Sequence, residues 1–309
     1  WVKFHRCLGL RASFGLIYLT LASATALEMV STQGFDALFE AGRAAPLADI
    51  RGKWALVSGA SSGIGKATAC ALAACGCNVY LLARRRDKLE EIKTEIDKRS
   101  LGVEVKVVDG DVNADETYEK LKKAGAMDTI DFLVNNAGLA LGKEPVGGAN
   151  LQDWKTMLDA NCLGAFRLAN EVLPGIVARG GGHVVMTGSI AGLEAYEGGA
   201  VYCASKHAAH AFMKALRYET YSKNVRCTVV APGFVGEGTE FSDVRFKGDQ
   251  DKVAATYVGM QELRATDVAS QIVWALRQPA HVCLDMIHVM PTCQGGATRI
   301  HRQPAGGYK

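Results

Sequence analysis

Tyr202 and Lys206 stand four residues apart in Tyr202-Cys203-Ala204-Ser205-Lys206, a spacing that puts both side chains on one face of a helix. Moving a proton to or from a carbonyl oxygen needs a group that ionises near neutrality, and a free phenol, with a pKa of about 10, is too weak a base. A neighbouring ammonium favours the phenolate, so the pair reads as a tuned acid/base. Ser189, in Thr187-Gly188-Ser189-Ile190-Ala191-Gly192, ends an apolar run and offers a hydroxyl to a reacting oxygen. Tyr and Lys at this spacing often only decorate a helix. The serine at the end of the preceding strand is what makes them a constellation.

A second group of residues reads as a phosphate cradle. An apolar run leads straight into Ser58-Gly59-Ala60-Ser61-Ser62-Gly63-Ile64-Gly65, followed by a helical pattern. Glycines allow a tight turn and a close approach to a pyrophosphate, which then meets the free N–H groups of the helix. A glycine triplet alone is weak evidence, but strand, loop and helix in that order are the context it requires. The second strand bears on the cofactor. An NAD site usually carries an acid there for the ribose hydroxyls, whereas this chain has Leu82-Ala83-Arg84-Arg85-Arg86. Arg84 is expected to pair with a 2′-phosphate through its fork, with Ser61 assisting and Arg85 nearby, so the reading is NADP.

The elements that must hold these residues alternate along the chain. Trp54–Ser58, Asn78–Ala83, Val103–Val108, Asp131–Asn135, His183–Thr187, Val225–Ala231 and Val282–Val289 read as strands, separated by helical stretches such as 66–75, 87–99 and 153–177. Near-continuous apolar strands imply a parallel sheet covered by helices on both faces. The expected fold is α/β, a single doubly wound domain over residues 50–309. Residues 1–49 form an extension. Lys3, Arg6 and Arg11 precede an apolar run from Phe14 to Leu27, a pattern of targeting segments, against the plainer reading of a surface extension.

The chain has 309 residues, 49% hydrophobic and 22% charged, with a formal net charge of +3, which excludes a disordered or collagen-like chain. So small a charge, with no basic stripe, argues against nucleic acid as a partner. Nine cysteines at spacings unlike a disulfide framework or a zinc site read as small apolar residues, which fits a reducing, cytoplasmic or organellar compartment, and no metal is expected.

Together these residues resemble the short-chain dehydrogenase/reductase family over roughly 50–291, and the resemblance implies a Rossmann-type fold with a parallel, mostly seven-stranded sheet. It implies Tyr202 as acid/base, Lys206 as its tuner and a ribose ligand, Ser189 as donor to the substrate oxygen, and Asn161 holding a water in a proton relay. Asp111 and Val112 would border the adenine; Asn136, Ala137 and Gly138 would line the cofactor groove, with Pro232, Gly233, Val235 and Thr239 beyond. Ser58 stands where the family more often has Thr. Three stretches, LVNNAGLALGKEP, PGFVGEGTEFSDVRFKGD and PAHVCLDMIHVMPT, resemble the NADP-dependent 3-hydroxy acid dehydrogenases, which act on serine, allo-threonine or 3-hydroxypropionate and form homo-oligomers, a homotetramer or homodimer. A broader carbonyl or ketoacyl reductase is the alternative enzyme, and a non-catalytic NADP-binding regulator the alternative of another class. The glycine-rich segment after Pro232 reads as a lid. In it Arg245 is expected either to anchor a substrate carboxylate or to pair with Asp243 or Glu240 on the lid surface.

Overall fold

In the computed structural model, residues 47–303 are described; the targeting pattern in 1–27 and most of the extension to residue 49 lie outside them. Seven strands form one sheet in the order β3-β2-β1-β4-β5-β6-β7, with every neighbouring pair parallel. They are β1 (Trp54–Ser58), β2 (Asn78–Ala83), β3 (Val105–Asp109), β4 (Phe132–Asn135), β5 (Gly182–Thr187), β6 (Val225–Pro232) and β7 (Met286–Val289). The helices are α1 (Gly63–Ala74), α2 (Arg86–Asp97), α3 (Asp115–Lys123), α4 (Leu151–Leu158), α5 (Ala165–Ala178), α6 (Ala200–Thr220), α7 (Phe241–Arg245), α8 (Gln250–Tyr257) and α9 (Ala265–Leu276), with a four-residue turn at Ala126–Thr129.

Side chains alternate across the pleat, and here both sets are apolar. Leu56, Leu82, Leu133, Val184 and Val229 face one way, onto α3, α5 and α6. Ala55, Val57, Leu81, Val134 and Val230 face the other, onto α1, α2 and α9. This is why the strands read as unbroken apolar runs rather than alternating ones. At the base of the sheet the buried Asp131 carboxylate accepts from the Trp54 N–H at 2.9 Å, from Arg179 at 2.9 Å and from Lys53 at 3.3 Å.

Two sequence expectations change. The last strand is shorter than Val282–Val289, because the carbonyls of Val282 and Leu284 are taken by the side chains of Arg226 and Thr228. The single helix expected over 153–177 is two, α4 and α5, joined by a π-helical segment, Asp159–Gly164. Such single-turn widenings are frequent at functional sites, and this one carries the buried Asn161.

His183 lies buried within β5, its Nε2 2.7 Å from the Thr228 hydroxyl on β6. Burial holds its pKa well below 6.5, so below about that pH the unfolded chain takes up a proton that the folded chain refuses. Stability is therefore expected to fall as pH drops from neutral towards 5, and thermal melting of His183→Gln should show a shallower loss over the same range than the parent.

Candidate active site

The sheet's strand order reverses between β1 and β4, both of which start loops at their carboxyl ends, and that is where ligands sit in open α/β folds. A cleft of about 1280 Å³ opens there. The β1 and β4 loops are tied by one hydroxyl. Ser58 Oγ accepts from the backbone N–H groups of Asn136 and Ala137, each at 3.0 Å. Asn136 returns a bond from its amide to the Ser58 carbonyl at 3.1 Å and accepts from Thr187 Oγ1 at 3.1 Å. Serine thus provides the hydroxyl that the family's threonine would.

Gly59 and Gly63 adopt φ of +64° and +58°, which only glycine takes without strain. A Cβ on Gly65 would lie 2.3 Å from the Gly59 carbonyl oxygen. Gly65 therefore packs behind the loop instead of lining the cleft, and Asn161 likewise stands behind the wall; every other expected site residue lines it. The first turn of α1 has no side-chain cap and no acid, so its N–H groups face the cleft with their positive end unanswered. These features fit the pyrophosphate of a dinucleotide.

The arginines divide differently from the sequence expectation. Arg84 is exposed at the cleft edge, 4.0 Å from Asp111. Arg85 instead folds over the glycine loop: its Nη2 donates to the hydroxyls of Ser61 and Ser62, both at 3.0 Å. Its charge also meets Glu240 at 2.9 Å, and holds that carboxyl below its usual range. A fork already gathered with two serine hydroxyls is the better-prepared partner for a phosphate.

The catalytic candidates converge. Tyr202 and Lys206 lie on α6, both buried, and Ser189 caps the turn after β5 by accepting from the Ala191 N–H at 3.1 Å. The Ser189 side chain acts on the Tyr202 phenol, favouring its ionised form. Lys206 Nζ donates to the Thr187 carbonyl at 2.9 Å and lies 6.0 Å from the centre of the Tyr202 ring. Burial lowers its pKa to about 8. The expected lowering of the phenol's pKa by Lys206 is not the dominant effect. Burial pushes Tyr202 up, with Ser189 and the charge of Arg245 pulling the other way.

Asn161 works from behind. Its amide donates to the Leu139 carbonyl at 2.8 Å and to Ser205 Oγ at 3.0 Å, and its oxygen accepts from the Leu139 N–H at 2.8 Å. Three of its four bonding positions are filled, which fixes the β4 loop beside Lys206. His210 also supports the site, its Nε2 accepting from the Ser189 N–H at 3.4 Å; burial lowers its pKa to about 4, so it stays a neutral acceptor. Gly188 and Gly192 leave room for that ring, since a Cβ on either would come within 2.5 Å of it.

Sequence reasoning missed Tyr196, Lys143 and the segment around Ala297–Arg302, all of which line the cleft. They come from loops and the C-terminal arm, where no periodicity marks a side chain as facing inward.

Residues 53–249 match the short chain dehydrogenase family. The chain belongs to that family. It is similar to the NADP-dependent 3-hydroxy acid dehydrogenase YdfG of Escherichia coli K12, 39% identical over 251 residues that cover 80% of this chain and 99% of the relative. The NADP-dependent 3-hydroxy acid dehydrogenase of Schizosaccharomyces pombe is 40% identical over 261 residues, 82% of this chain and 98% of the relative. Among solved structures, the closed form of a serine dehydrogenase complexed with NADP+ superposes with a TM-score of 0.74 at 37% identity, covering 81% of this chain and all of that one. The seven-stranded parallel Rossmann-type sheet of this short-chain dehydrogenase is the one its sequence implies.

Removing the Arg85 fork should cost a charge-assisted contact, about tenfold or more in affinity. Arg85→Ala is expected to raise the Kd for NADPH by that factor with little effect on NADH, and Arg84→Ala to do less. Fluorescence titration of both nucleotides checks the order.

Proposed function

We propose that this short-chain dehydrogenase is an NADP-dependent enzyme that interconverts a small 3-hydroxy acid and its 3-oxo acid or semialdehyde. The observation that carries the reading is the buried Ser189–Tyr202–Lys206 cluster in the same cleft as an uncapped helix N-terminus. A cofactor-binding regulator would need neither the serine nor the phenol. The names of the relatives point to 3-hydroxy acids, with serine named among the solved structures.

NADP, when bound, supplies the hydride acceptor for oxidation or the hydride donor for reduction. The chain does the rest. Gly59, Ser61, Ser62, Gly63 and Arg85 would hold its phosphates, Asp111 and Val112 its adenine end, and Asn136 to Gly138 its groove. Ser189 and Tyr202 hold the substrate oxygen between two hydroxyls. In oxidation the hydroxyl proton passes to Tyr202; in reduction Tyr202 returns it to the new hydroxyl. Lys206 keeps a positive charge behind the phenol, which favours the proton's departure. The homo-oligomer implied by the family is supported by exposed apolar side chains, Leu158, Leu163, Tyr218 and Tyr221, on and beside the long helices.

Tyr202→Phe should lose about 10²–10⁴-fold in kcat while keeping its Kd for NADPH; near-parental turnover would refute the assignment. The pH profile has a definite sign. Burial holds the phenol protonated, so it serves as an acid at neutral pH and as a base only as pH rises. The kcat/KM for hydroxy acid oxidation should climb into the alkaline range, and that for reduction should be flat and then fall. Steady-state rates in both directions test this, with serine, allo-threonine, 3-hydroxypropionate and 3-hydroxyisobutyrate as the oxidation panel.

A further inference from the structure

The lid helix α7 carries a guanidinium that no acid in the described chain answers. Arg245 is 8% exposed and lines the cleft. The two acids proposed as its surface partners are engaged elsewhere. Glu240 pairs with Arg85, and Asp243 accepts from the Gln250 amide at 2.9 Å. Arg245 donates from Nε to the Gly142 carbonyl at 3.2 Å and from Nη1 to the Tyr196 hydroxyl at 3.2 Å. Both acceptors are neutral, and Nη2 is buried with no partner at all.

The surroundings increase the demand for an anion. Lys143 and Arg302 line the same cleft, and burial together with the charges of Arg245 and Arg302 works against the Lys143 ammonium. Arg302 is held only by backbone carbonyls, those of Val258 and Thr256. Three cations thus share one compartment. Its position is equally informative: the guanidinium carbon lies 5.7 Å from the ring centres of both Tyr196 and Tyr202. An anion paired with this guanidinium would therefore sit beside Tyr202.

We propose that Arg245, oriented by Tyr196 and Gly142, is the carboxylate anchor that selects acid substrates, with Lys143 and Arg302 supplying the positive field around it. The assignment rests on the reading that a 3-hydroxy acid reacts at Tyr202. A planar fork meets both oxygens of a carboxylate at once. Leaving a buried charged donor unmet is costly, and an arriving acid removes that cost, whereas an uncharged alcohol does not. The discrimination is therefore against neutral substrates of the same size. In a 3-hydroxy acid a single carbon separates carboxyl from carbinol, so one end meets α7 while the other meets Ser189 and Tyr202.

The test compares 3-hydroxypropionate with its methyl ester in the full-length enzyme. Arg245→Met should raise KM for the acid about 100-fold and for the ester far less, and Arg245→Lys, which keeps charge and loses the fork, should fall between. Malonate, an unreactive dianion, should inhibit the parent competitively and Arg245→Met weakly. Equal losses on acid and ester, with NADPH binding intact, would overturn the anchor and leave Arg245 a packing element of the lid. If the Met variant does not fold, the Lys variant makes the same comparison. A parent enzyme that turns over the ester but not the acid overturns the anchor and the 3-hydroxy acid reading together, whereas acid turnover without discrimination in the variants overturns the anchor alone.

Discussion

The site depends on a buried hydroxyl joining two loops that the chain makes far apart. Ser58 Oγ takes the N–H groups of Asn136 and Ala137, so the loops after β1 and β4 are fixed to each other at the place where the sheet reverses. Those N–H groups would otherwise be orphaned beside a cleft, and buried backbone donors must be satisfied. Their satisfaction by one side chain aligns the glycine loop with the wall that leads to Asn161, Lys206 and Thr187. Asn161 repeats the device one layer further back, exchanging bonds with both backbone groups of Leu139.

Burial then sets the chemistry of the groups so placed. Lys206 loses basicity and Tyr202 loses acidity for the same reason, because each charged form is poorly solvated. The serine hydroxyl and Arg245 oppose that effect at the phenol, so the ionisation of Tyr202 depends on residues from α6, the β5 turn and α7 together. His210 is a counterpart that stays uncharged. It receives the Ser189 N–H without adding a positive charge behind it.

The fold was legible because its signals are repetitive. Apolar strands buried on both faces, a glycine turn between β1 and α1, and Tyr202 and Lys206 one turn apart are local patterns that a sequence displays directly. Side-chain destinations were less legible. Arg84 and Arg85 are adjacent and chemically identical, and only the turn into α2 decides that Arg85 swings over Ser61 and Ser62. Gly65 looked like a cofactor contact but is a packing residue, since what it touches is the Gly59 carbonyl across the loop. Tyr196 and Arg302 carry no periodic signature and reach the cleft through non-local folding. The break between α4 and α5 was hidden too, because Asp159–Gly164 contains no proline to announce it.

That break also constrains how the gene for this chain can change length. A π-helical turn holds more residues than an α-helical one over the same rise. Deleting one residue between 159 and 164 would let the segment wind as ordinary α-helix and leave α5 in phase with α4, whereas deleting one between 165 and 167 would rotate the rest of α5 by about 100°. The first change would draw Asn161 away from the β4 loop; the second would turn aside Leu168, Val172 and Ile176, now pressed against the sheet. The wall of the cleft and one face of the core are thus set by adjoining stretches of one helical run. Length changes that a surface loop absorbs are opposed on either side of residue 164, by the Asn161 contacts before it and by the core after it.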